Sequence, residues 1–119
     1  MSLLSLAIIL SSVFFNAVAQ IFMKLGAQNK ESLLETGEMI LFAYLNNYIL
    51  IGLLFYAISI ILWIEALTKV QVSIAYPMLS LGYIFVTIMA YFFFKEEITT
   101  IKVIGLTIII LGIVILANA

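Results

Sequence analysis

The segment FFNAVAQIFMKLG, Phe14–Gly26, places Asn16, Gln20 and Lys24 four residues apart in otherwise apolar surroundings. Two amides can hydrogen-bond a ligand without carrying charge, and an ammonium can attract an anion such as a phosphate. On a helix of about 3.6 residues per turn, Ser12, Asn16, Gln20 and Lys24 advance about 40° per step and span an arc of about 120°. A lysine facing lipid near a helix centre costs about 2.5–3.5 kcal/mol on insertion scales, so such groups normally turn inward. The spacing therefore predicts a polar face turned toward a cavity. Two plainer readings stand beside it. Lys24 can snorkel to the headgroups along its long stem, and the amides can bond to a neighbouring helix with no ligand involved.

Glu65, in LWIEALTK, is the one carboxylate inside an apolar span. Its chemistry would be to bind a cation or exchange a proton. Lys69 follows four residues later, the favourable order for a helical ion pair, so an interfacial salt bridge is the competing reading. Trp63, the sole tryptophan, lies two residues before Glu65. It suits an interfacial anchor and is grouped with Glu65 among the candidate substrate-binding residues.

In IAYPMLSLGY, Ile74–Tyr83, Pro77 removes a backbone donor and Gly82 adds flexibility, which predicts a kinked helix. Tyr76, Ser80 and Tyr83 supply hydroxyls at spacings of four and three, a candidate wall for the same ligand. Gly105, Gly112 and Ala119 recur at heptad spacing, a stripe of small residues read as a contact between subunits. No nucleophile–base pair or metal-ligand constellation appears, so neither an enzyme nor a cofactor is expected. The absence of Cys and His removes disulfides, thiol chemistry and the commonest metal ligands.

These residues need elements to hold them. The chain has 119 residues, 66% hydrophobic and 9% charged, which a soluble domain of this size could not bury. A net charge of -1 without any Arg gives nucleic acid no electrostatic footing. A membrane helix needs about 20 mainly apolar residues to cross about 30 Å of hydrocarbon. Four segments qualify, at about 3–23, 48–67, 74–94 and 101–117. The expected fold is an all-α membrane protein of four transmembrane helices forming one domain over residues 1–119.

The small-x-small string AVAQ, Ala17–Gln20, has the form of a signal-peptidase site, but residues 1–10 hold no Lys or Arg. The first span is therefore read as a retained membrane helix. In the first link, Ser32 and Glu35 have capping-box spacing for a short helix, and Met39–Leu45 suits an interfacial turn. Lys24, Lys30, Lys95 and Lys102 fall on one side and Lys69 on the other. That bias places both termini outside, weakly enough for insertion in both orientations.

NAVAQIFMKLG, IAYPMLSLGY and GLTIIILGIVILA together resemble the small multidrug resistance superfamily, over almost the whole chain. SIAYPMLSL is similar to one branch, the paired small subunits that flip undecaprenyl-phosphate-aminoarabinose. The resemblance implies a bacterial inner-membrane transporter that moves polyprenyl-phosphate-linked amino-sugar headgroups by alternating access. It further implies an antiparallel dimer, either a homodimer or a heterodimer with a similar small subunit. Lys24 would then attract the phosphate, Asn16 and Gln20 would act as neutral donors, and Glu65 would contact an amino group. One departure bears on the branch. Drug exporters of the superfamily carry a glutamate where this chain has Asn16, and an amide cannot cycle a proton. Two alternatives remain: a proton-coupled exporter of small or lipophilic cations using Glu65, and a non-transporting partner subunit of a heterodimeric transporter.

Overall fold

The computed structural model describes residues 2–28 and 46–119. The short helix expected at Ser32–Glu35 and the turn expected at Met39–Leu45 lie outside the described residues. Within them the chain is helical, with no strand. Four helices are long and apolar enough to cross a membrane: α1 Leu3–Gln28, α2 Asn47–Leu67, α3 Val72–Phe94 and α4 Thr100–Ala117. Helices suit such a chain because lipid offers backbone groups no partner and each helix satisfies its own.

Helix α1 continues beyond Met23 through Lys24 to Gln28. Its 26 residues extend about 39 Å at 1.5 Å per residue, more than the hydrocarbon thickness, so its polar end can reach the headgroup layer. Asn46 joins that end to the next helix. Its Oδ1 accepts from the Ile49 N–H at 3.1 Å, capping α2, while its Nδ2 donates to the Gly26 carbonyl at 2.9 Å. A methyl group on Gly26 would collide with the Ile49 side chain, so only glycine allows this approach.

Packing follows the rule for lipid, where small residues let helix backbones approach. Gly52 of α2 sits against α1, where an added Cβ would lie 3.2 Å from the Ala19 carbonyl oxygen and 3.2 Å from Met23 Cγ. Phe55 stacks between Phe15 and Phe22, with centroids 5.9 and 5.6 Å away. Gly82 of α3 meets α1 at Val13, 3.2 Å from an added Cβ. Ile9, Val13, Ala66, Ala75, Met78 and Ile113 form the core cluster where all four helices meet.

Two irregularities matter for function. Helix α3 changes at Leu79–Leu81 into a 3-10 stretch, between Pro77 and Gly82, before resuming as α-helix. Pro77 supplies no N–H to the turn before it, which loosens the ladder at that point. At the far end Lys95 adopts a left-handed conformation, φ 56°, and ends the helix. Helix α4 packs against the Val72–Leu81 part of α3, and Ile113 is its one buried residue. An added Cβ at Gly105 or Gly112 would meet nothing within 4 Å. Among the described residues that glycine stripe meets no neighbouring helix.

Candidate functional site

A cavity of about 130 Å³ opens between α1, α2 and α3, lined by Ser12, Asn16, Tyr56, Ser59 and Trp63, with Ile60 and Leu79. Asn16 stands midway along α1, so the cavity lies at the middle of the span. Ser12 is buried, and its hydroxyl donates to the Ser59 carbonyl at 2.8 Å. Ser59 in turn donates to the Tyr56 carbonyl at 2.8 Å. The lining offers an amide, hydroxyls and an indole, and no ionisable group is among these residues apart from the Tyr56 phenol. Such a surface can hydrogen-bond a neutral polar group or hold water, and has no carboxylate to neutralise a cation.

The polar stripe of α1 divides. Ser12 and Asn16 face the cavity, whereas Gln20 and Lys24 are exposed beyond it. The reason is the drift of about 40° at each four-residue step, which turns the stripe away from the α1–α2 seam. Lys24 instead reaches the α3–α4 link. Its Nζ lies 2.8 Å from Glu96 Oε1 and 4.7 Å from the centroid of the Phe94 ring. The left-handed turn at Lys95 brings Glu96 back over the end of α3, where its N–H donates to the Ala90 carbonyl at 3.3 Å. The Lys24 hydrogen bond, with the charges of Lys24 and Lys102, holds the Glu96 carboxyl below its ordinary value.

Glu65 lies elsewhere. Its side chain is 57% exposed and pairs with Lys69 at 3.6 Å, the ion pair that the four-residue spacing allows. Because α1 and α2 are antiparallel, Lys24 and Glu65 occupy opposite ends of the bundle. Gly52 sits level with Met23, and Glu65 is 13 residues further along α2, about 20 Å away. One chain does not bring these two charges together.

The hydroxyl series on α3 does not form a wall of the mid-span cavity. Tyr76 and Tyr83 are exposed and Ser80 is half-buried, and none of the three lines it. Tyr83 borders a second cavity of about 250 Å³ at the Lys24 end, together with Thr87, Ala90, Glu96, Glu97 and Lys102. Trp63 lines the mid-span cavity and packs against the core. Tyr56, Ser59 and Glu96 are the residues that reading the sequence missed. Tyr56, Ser59 and Trp63 at spacings of three and four were a legible signal on α2; nothing local marked Glu96. Among the described residues no group of three His, Cys, Asp or Glu side chains could hold a metal ion.

Comparison with known proteins places this architecture. Residues 3–118 match the EamA-like transporter family. The chain is 39% identical over 73 residues to the probable 4-amino-4-deoxy-L-arabinose-phosphoundecaprenol flippase subunit ArnE of Enterobacter sp., covering 61% of this chain and 68% of that protein. It is 30% identical over 73 residues to the like-named ArnE of Pseudomonas fluorescens, of which the match spans 64%, less than two thirds. The probable flippase subunit ArnF of Yersinia enterocolitica is 36% identical over 110 residues, 87% of this chain and 86% of that protein. No solved structure is significantly similar to the chain. The resemblance to the paired flippase subunits is thus borne out in these relatives, which are named as probable flippase subunits and not as enzymes. Four apolar spans and a full-length match together make this a multi-pass inner-membrane protein with a transporter role, and it belongs to the EamA-like transporter family.

Proposed function

We propose that the protein moves the polar headgroup of a polyprenyl-phosphate-linked amino sugar across the membrane while the lipid tail stays in the bilayer. The observation that carries this reading is the mid-span cavity, whose lining has amide, hydroxyl and indole groups and no carboxylate. Hydroxyl-rich sugars match neutral donors and acceptors, and an aromatic wall suits their apolar faces. The relatives, named as probable flippase subunits for 4-amino-4-deoxy-L-arabinose-phosphoundecaprenol, agree with that chemistry. In this reading Lys24 draws the phosphate at the membrane surface, and Asn16 hydrogen-bonds the sugar as it crosses. The exporter reading has less support, because Glu65 is exposed, paired with Lys69 and not among the residues that line the cavity.

A single chain of four helices does not enclose a path. The working unit in this reading is an antiparallel dimer, formed with a second copy or a similar small subunit. Exchange of the two conformations between the inverted partners gives alternating access. The open glycine stripe of α4 is the surface proposed for that contact.

Trp63 reports on the cavity because it is the only tryptophan and lines it. The experiment is a titration of its fluorescence, in bicelles, with a short-chain prenyl phosphate sugar and separately with a lipophilic quaternary cation. Saturable change with the phosphate lipid, weakened in both Asn16→Ala and Lys24→Ala, is the expected result. A response to the cation alone, lost in Glu65→Gln or at low pH, would replace this reading with the exporter. No ligand response, with a stable complex formed with another small membrane protein, would leave a non-transporting partner subunit.

A further inference from the structure

At the exposed end of α1 the Lys24 ammonium meets a carboxylate of the α3–α4 link, Glu96, at the rim of a cavity separate from the mid-span site. Lys24 and Glu96 are 2.8 Å apart, and their side chains remain 45% and 43% exposed. Glu96 also lines the 250 Å³ cavity, which runs along α3 to Tyr83 and Thr87. Glu96, Glu97, Lys102 and the hydroxyl-bearing Tyr83 and Thr87 line this cavity, and Lys24 stands at its rim through its pair with Glu96.

An amino-sugar phosphodiester carries the complementary set: one anionic phosphate, one ammonium and hydroxyls between them. We infer that the Lys24–Glu96 pair is the docking site that selects the aminated headgroup, with Lys24 taking the phosphate and Glu96 the ammonium. This rests on the proposed lipid substrate and adds the source of its selectivity. One protein ion pair opens and two protein–ligand pairs form, so neither side chain is left without a partner. A phosphodiester lacking the amine gains Lys24 only by leaving Glu96 to water and the more distant charge of Lys102. The carboxylate therefore acts against the wrong lipid as well as for the right one. Both side chains are solvent-accessible, so the exchange needs no rearrangement of the helices. The left-handed residue Lys95 fixes where the carboxylate sits, and Phe94 supports the ammonium of Lys24 from its other side.

The test is calorimetric titration of the full chain in bicelles with two probes. One is a farnesyl phosphodiester of 4-amino-4-deoxy-arabinose, and the other is the same lipid with hydroxyl in place of the amine. The wild type should prefer the aminated lipid. Glu96→Gln should weaken the aminated lipid by about two- to fivefold, the scale of one exposed charge pair, and strengthen binding of the hydroxyl lipid. A folding defect would weaken both, so the opposite signs identify the exchange. Glu96→Asp, which keeps the charge, should retain the preference. Equal binding of both lipids by the wild type, or an unchanged preference in Glu96→Gln, would overturn the docking site and leave the lipid-transport reading standing. Binding of neither lipid would remove both.

Discussion

Ser12 donates its hydroxyl to the carbonyl oxygen of Ser59 at 2.8 Å, across the buried seam of α1 and α2. The bond joins the two helices beside the mid-span cavity, so one side chain serves both packing and the shape of the site. Interhelical hydrogen bonds in membranes average about 0.6 kcal/mol and reach about 1.7. Ser12→Ala should therefore lower stability by about 0.5–1.5 kcal/mol, measured by unfolding in mixed micelles.

The glycines should separate into two classes. Gly52→Val places side-chain atoms against the Ala19 carbonyl and Met23, and should destabilise the chain by about 1–3 kcal/mol, the usual cost of overpacking. Gly105→Val and Gly112→Val meet open space within the chain and should leave its helicity and unfolding unchanged. If α4 forms the subunit contact, the same two variants should reduce cross-linked dimer in bicelles. Unchanged dimer yield would move the interface elsewhere.

Acid should undo the Lys24–Glu96 pair in a defined window. The folded Glu96 carboxyl titrates below its ordinary 4.5, held down by the Lys24 hydrogen bond and the charges of Lys24 and Lys102. A depressed carboxyl contributes stability that is fully present above the unfolded value and is lost as pH falls through the folded one. The melting difference between wild type and Glu96→Gln should therefore stay constant from pH 7 to about 5.5 and close only below 4.5. Added salt at pH 7 should shrink it too, because both partners are exposed.

Much of the architecture could be read from the chain. Four apolar stretches separated by polar links gave the helices, because lipid leaves a long apolar segment few other options. The site was harder. Asn16 announced itself as an amide in an apolar run, and it lines the cavity. Glu96 could not be found the same way, since a carboxylate in a polar link looks ordinary and its partner lies 72 residues away. Lys24 and Glu65 looked complementary as charges, yet helix direction puts them at opposite ends. Local spacing reports which residues share a helix face, whereas pairing between helices depends on depth and rotation, which no single segment encodes.

The three 3-10 residues Leu79–Leu81 also set the phase of α3. A 3-10 turn advances about 120° and 2.0 Å per residue, against about 100° and 1.5 Å in an α-helix. Across three residues the difference accumulates to about 60° of rotation and 1.5 Å of length. Tyr76 and Tyr83, about 20° apart on a continuous α-helix, come to stand about 40° apart and in the opposite sense, and Tyr83, seven residues nearer the Lys24 end, borders the cavity there. The stretch works as a screw coupling between the two halves of α3. Rewinding it into α-helix would swing Tyr83 and Thr87 about the axis and draw the Glu96 turn toward the bilayer centre in the same stroke.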